Sequence, residues 1–173
     1  MNIAKSAPSF VKIFFLRALT IFIAWKLLYC FILKPSHFPD EQLTKMIVVL
    51  TAKALSLFYN GVYFLGNNVF SDKGKAIGIG DACNGLEVMM LYCGFIFAMP
   101  TIKKNPLRKA FFIFSGILSI CLINIVRCTA LSWIHYSHPM YFPLYHKYVF
   151  NFIAYSIMIS GWVLYCKDKR YVP

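Results

Sequence analysis

Charge is what this chain has least of. Charged residues make up 14% of its 173 positions and only six are acidic, while 60% of the chain is hydrophobic. So little polar surface cannot cover a water-soluble core of this size, which excludes a soluble globular protein. Several apolar runs instead reach the roughly 20 residues needed to cross the hydrocarbon core of a bilayer. Residues 1–173 therefore read as one domain, an all-α polytopic membrane protein.

Other absences narrow the reading. There is no internal repeat and no low-complexity tract. Cysteine pairs at C-x-x-C or zinc-type spacing are missing, so the six cysteines outline neither a disulfide framework nor a metal site. Cys93 and Cys121 fall inside apolar segments as packing residues. His135 and His138 stand three apart, but no carboxylate or H-E-x-x-H pattern accompanies them. No metal or other cofactor is expected. The first apolar segment lacks an A-x-A cleavage site and is too long for a removable signal. Tyr29 is too bulky for Leu27-Leu28-Tyr29-Cys30 to be a lipoprotein box.

A formal net charge of +12 could suggest nucleic acid, but its distribution argues against that partner. Ten of the 18 basic residues lie in three clusters: Lys5, Lys12, Arg17; Lys103, Lys104, Arg108, Lys109; and Lys167, Lys169, Arg170. Each flanks an apolar segment, the pattern expected of cytoplasmic ends. Basic clusters at both ends of the chain place both termini inside and require an even number of crossings.

Four spans meet that requirement: an anchor helix from about Phe10 to Leu33, then Asn84–Pro100, Lys109–His135 and about Tyr148–Cys166. Arg17 and Lys26 can snorkel from the first toward opposite interfaces. A further helix, from about Gln42 to Leu65, is long enough to span, but Gln42, Lys45, Lys53, Ser56 and Asn60 share one narrow face. It is expected to lie at the outer interface. The outer stretch 34–82 also carries Asp40, Glu41, Asp72 and Asp81, four of the six acids. Asn67–Ala82 reads as a non-helical link, with a turn at Asp72-Lys73-Gly74 between two short extended pieces. Thr101–Pro106 is a basic inner loop, and Tyr136–Tyr145, with Pro139, Pro143 and aromatics, an outer one.

Gly80-Asp81-Ala82-Cys83-Asn84-Gly85-Leu86-Glu87 stands where the outer link meets the second span. Asn84 has the side chain of an N-cap, and Glu87 three residues on completes a capping-box pattern. Cys83 then precedes the first turn, where the helix dipole favours an anion and hence a nucleophilic thiolate. The bland alternative is a small apolar residue beside an ordinary cap. Two more reactive side chains reach the same membrane face. Arg127, in Asn124-Ile125-Val126-Arg127, is costly inside a span without a partner or wet cavity. Its plainer role would be an ion pair with Glu87 or snorkelling to headgroups. His146 precedes the last span and is preferred over His135 and His138 for its place on a rigid scaffold. Asn124, one turn before Arg127, is placed to orient it, and Glu87 either completes the cap or pairs with Arg127. A thiol, an imidazole and a guanidinium at one face suit covalent acyl transfer, with proton exchange by histidine and oxyanion stabilisation by arginine.

Ala82-Cys83-Asn84-Gly85-Leu86, Asn124-x-x-Arg127 and His146 occur in the order and helix positions of the exosortase/archaeosortase motifs. From about Gly78 to the C-terminus the chain resembles that family, in a short variant. The resemblance implies a membrane-embedded cysteine transpeptidase of the cell inner (plasma) membrane, its active site on the outer or periplasmic side. Cys83 would be the nucleophile, His146 the proton carrier and Arg127 the transition-state stabiliser. Partners would be exported proteins with a C-terminal motif, transmembrane helix and basic tail, and an envelope lipid or glycan acceptor. Two other readings stay open on the residues alone. One is a non-catalytic membrane subunit that binds transmembrane tails of clients. The other is a thiol redox protein, which would need Cys83 paired with Cys128 or Cys30.

Overall fold

Residues 7–100 and 106–167 are described in a computed structural model. Helix α1 (Ala7–Leu28) runs on through one wide π turn (Tyr29–Leu33) to Ser36. Helix α2 (Asp40–Leu55) follows, then a small sheet of β1 (Tyr63–Leu65), β2 (Asn68–Ser71) and β3 (Gly74–Gly78). Helices α3 (Leu86–Ala98), α4 (Pro106–Ser137) and α5 (Phe150–Cys166) complete the chain. A 3-10 turn, a short helix and a π turn join Pro139 to α5.

The described residues include three helices long and apolar enough to cross a membrane, spanning Val11–Ser36, Pro106–Ser137 and Pro139–Cys166. The chain is a membrane protein of helical class. All four expected spans are helical, but α3 has only 13 residues, about 20 Å at 1.5 Å per residue. The loop 101–105, expected on the inner side, and the terminal basic residues Lys5, Lys169 and Arg170 lie outside the described residues.

The expected helix over Gln42–Leu65 needs correction. It ends at Leu55, and Tyr63–Leu65 pairs instead as the edge strand β1 against β2. Asn60-Gly61, with Gly61 at φ +62°, turns the chain where the apolar run would otherwise continue the helix. The sheet is an antiparallel meander in the order β1-β2-β3. Its second turn falls at Asp72-Lys73, between the paired Ser71 and Gly74, where the sequence places it.

Helix α2 carries its expected polar stripe on the outside and packs its other face. Ile47, Val48, Ala52 and Leu55 meet Val69, Ala76, Ile77 and Ile79 of the sheet region and Cys128 and Leu131 of α4 in one core. Tyr136 of α4 pins the sheet, sharing a 2.8 Å hydrogen bond with Ser71 Oγ and donating to the Gly74 carbonyl at 3.0 Å. A second core joins the membrane helices around Tyr92, with Met89, Ile96, Ile120, Met158 and Tyr165. Tyr92 fits where α4 and α5 have no side chain. A Cβ on Gly116 would come within 2.0 Å of its ring, and one on Gly161 within 2.9 Å. Its hydroxyl donates to the Phe112 carbonyl at 3.0 Å. Helix α1 closes against α3 through Phe14 and Phe95, ring centroids 5.4 Å apart.

Candidate active site

Cys83 ends a single 3-10 turn, Asp81–Cys83, between the sheet and α3. The turn is held on several sides. The Cys83 N–H donates to the Gly80 carbonyl at 2.8 Å, and Asn124 Nδ2 of α4 donates to the Cys83 carbonyl at 2.7 Å. Next in sequence, Asn84 is 1% exposed. Its Nδ2 donates to Asp40 Oδ1 at 2.7 Å, while its Oδ1 accepts the Leu86 N–H at 2.9 Å.

Two expectations about this stretch are corrected. Gly85, not Asn84, holds the N-cap place of α3, since its carbonyl accepts the first helical bond from Met89 at 3.0 Å. Its φ of +86° is the left-handed backbone that favours glycine. Asn84 still satisfies one N–H of the first turn, from one residue further out. Glu87 neither closes a capping box nor meets Arg127. It forms an exposed ion pair with Lys26 of α1, Nζ to Oε1 3.3 Å, because the second residue of α3 faces the anchor helix.

The sulfur of Cys83 has the two other expected side chains within reach. His146 Nε2 lies 3.6 Å from Sγ, and Arg127 Nη2 points a donor at it from 3.5 Å. His146 sits in the π turn Tyr145–Val149, and Phe142 stacks on its imidazole at 5.7 Å with planes 11° apart. That stack sets the plane of the ring that faces the sulfur. Arg127 is on α4, one turn beyond the buried Asn124, so a single helix supplies both the donor to the cysteine carbonyl and the cation at its sulfur. Asn124 therefore acts on Cys83 directly, where the spacing suggested that it orients Arg127. His135 and His138 stay among aromatics at the C-terminal end of α4, against Phe142 at 5.6 Å and Trp133 at 6.5 Å. Cys30, Cys83 and Cys128, whose pairing a redox relay would need, are free thiols.

Arg127 Nε is buried with no hydrogen-bond partner among the described residues, an arrangement that costs free energy unless something else accepts from it. The side chain borders a cleft of about 350 Å³ shared with Trp25, Tyr29, Asp40, Asn151 and Tyr155. Neither Cys83 nor His146 is among the residues that line it.

Three residues at the site escaped the sequence reading. Asp40, 5% exposed, and Thr44, fully buried, lie at the start of α2. Thr44 donates to Asp81 Oδ1 at 2.9 Å, and Tyr29 of the anchor segment donates to Asp40 Oδ2 at 2.9 Å. The available signal was helical spacing: Asp40, Thr44 and Thr51 fall on the same face as Ile47, Val48 and Leu55. Polar groups on an apolar face need internal partners.

No curated protein and no solved structure matches the chain. The family described as Transmembrane exosortase (Exosortase_EpsH) matches over residues 7–166. That span takes in every membrane helix described above together with the turn that carries Cys83, and the chain belongs to the transmembrane exosortase family.

Proposed function

We propose that this exosortase is a protein-sorting cysteine transpeptidase, acting through a thioester on Cys83. The observation that carries the reading is the placement of Cys83 Sγ between an imidazole nitrogen at 3.6 Å and a guanidinium nitrogen at 3.5 Å. In the first half-reaction the thiol proton passes to His146 Nε2 as sulfur attacks the scissile carbonyl carbon. Arg127 stabilises the oxyanion, a kind of interaction worth about 10²–10³ in rate for a single donor. The carbon–nitrogen bond breaks, His146 returns its proton to the leaving amine, and the client remains as a thioester. In the second half-reaction His146 takes a proton from the acceptor nucleophile, which attacks the thioester and frees the thiol.

The clients in this reading are exported proteins bearing a C-terminal motif, a transmembrane helix and a basic tail. The acceptor is an envelope lipid or glycan. The site faces the outer side of the cell inner (plasma) membrane, in keeping with the basic clusters that flank the spans. The test is processing of such a client by wild type, Cys83→Ala and Cys83→Ser at matched membrane levels. Loss of processing in both folded variants upholds nucleophilic catalysis. Unchanged processing in the alanine variant removes it and leaves a subunit that binds client tails.

A further inference from the structure

We propose that Asp40 is a positioning residue for Cys83, its carboxylate setting the Asn84 amide and thereby the turn that presents the sulfur. The proposal rests on the reading of Cys83 as nucleophile. Asp40 is 5% exposed, and a carboxylate so buried needs donors around it. It has two from different elements, Asn84 Nδ2 on Oδ1 at 2.7 Å and Tyr29 Oη on Oδ2 at 2.9 Å. Its place in the first turn of α2 adds the favourable end of a helix dipole.

The consequence falls on the neighbour of the nucleophile. An acceptor at Asp40 obliges Asn84 to turn its NH₂ toward α2, where the Asp40 carbonyl and Thr44 Oγ1 also accept, each at 3.4 Å. The amide oxygen is then left facing the Leu86 N–H, which it accepts at 2.9 Å. Thr44 holds Asp81 at 2.9 Å, so the start of α2 grips the chain on both sides of Cys83. Asn124 holds the Cys83 carbonyl from α4. The backbone of Cys83 is thus fixed relative to α4, the helix that also brings Arg127. Asp40 touches neither sulfur nor imidazole by any of these bonds; it acts through Asn84.

The experiment compares Asp40→Leu, Asp40→Asn and Asn84→Asp with the double variant Asp40→Asn/Asn84→Asp. All are purified in detergent with melting followed, and two readouts are taken. One is the rate of Cys83 alkylation by iodoacetamide across pH, followed on the Cys83 peptide; the other is client processing. Asparagine at 40 can still accept from Asn84, so Asp40→Asn stays within a few-fold of wild type. Asp40→Leu lowers kcat by roughly 10- to 100-fold, the scale of a small misplacement of a reacting group, with KM for the client unchanged and the alkylation profile altered. Asn84→Asp sets two carboxylates against each other and loses activity, and the double variant recovers most of it. Wild-type processing and alkylation in Asp40→Leu would overturn the proposal. So would a double variant no better than Asn84→Asp, or losses that follow melting alone with no change in the alkylation profile. Alkylation needs no client, so the coupling of Asp40 to Cys83 is decided even if Cys83→Ala shows that the thiol is not the nucleophile.

Discussion

The two cores of this protein are built on different rules. Around Cys83 and beyond it, α2, the sheet and the C-terminal part of α4 enclose Ile47, Val48, Leu55, Val69 and Leu131 at 1% exposure or less. The same region holds Asp40, Thr44, Thr51, Ser71, Asn84, Asn124 and Ser132, all buried. Around Tyr92 the buried residues are apolar or aromatic, and the helices turn most of their surface outward. The most apolar window of the first span has none of its residues buried, and those of Pro106–Ser137 and Pro139–Cys166 only 17% and 11%. The first region is organised like a small water-soluble core, in which removal of apolar surface from water drives packing. The second has lipid for solvent, so close fit must replace that driving force, and Tyr92 set against two glycines supplies it. The catalytic candidates lie where the first kind of core meets the second. There a polar network is largely hydrogen-bonded, with Arg127 Nε and Thr51 Oγ1 left buried and without a partner among the described residues.

The sharpest way to break this comparison is to truncate one residue in each environment. Ile47→Ala is expected to lower stability by about 2–5 kcal/mol, as for a large-to-small change in a closed core. Phe114→Ala, at a position 70% exposed on α4, should stay within about 0.5 kcal/mol; denaturant melts of both in one detergent decide it. Equal losses would mean that the region around Cys83 is not a separate kind of core. Arg127→Lys comes next. Lysine cannot reproduce the planar fork of donors, and processing should fall roughly 10²–10³-fold with little change in melting. A matching drop in melting would make the arginine a structural ion instead.

Smaller effects sharpen the membrane side. Gly116→Ala forces a methyl into the Tyr92 ring and should cost about 1–3 kcal/mol, partly recovered by adding Tyr92→Leu. Alkylation of Cys83 should be unchanged in the single variant, since that damage lies in the other core. Glu87→Gln should be smallest. Its ion pair with Lys26 has side chains 46% and 75% exposed, and such pairs contribute at most about 1 kcal/mol. Processing within twofold of wild type is the expected outcome, and a large loss would return Glu87 to the chemistry.

The sequence pointed to the side chains that meet at the Cys83 sulfur better than to the scaffold around them. Cys83, Arg127 and His146 were legible because each is chemically out of place: a cysteine at a hinge, an arginine inside a span, a histidine at the start of another. The spans were legible because lipid demands long apolar runs. The shape of the region from α2 to the sheet was not, for apolar residues there serve two purposes. Leu57 and Phe58, 79% and 71% exposed, extend the apolar run of α2 without being core. Tyr63, Phe64 and Leu65 likewise read as helix but form an exposed edge strand. The roles of Asp40 and Asn124 were hidden for another reason. Hydrogen bonds to Asn84 and to the Cys83 carbonyl join residues 44 and 41 positions apart, and no local pattern encodes them.

The shortness of α3 sets a depth. Helix α4, with 32 residues, is about 48 Å long, enough to cross a hydrocarbon layer of about 30 Å and rise well past it. Seven residues, 99–105, separate the end of α3 from the start of α4, and the two helices meet again at the Cys83 turn. The 13 residues of α3 then carry the chain back only about 20 Å. Asn124, which holds the Cys83 carbonyl, stands 18 residues after Pro106, about 27 Å along α4, so the turn is held partway along that helix and not at its end. The length of α3 thus fixes the height along α4 at which the sulfur is presented to Arg127.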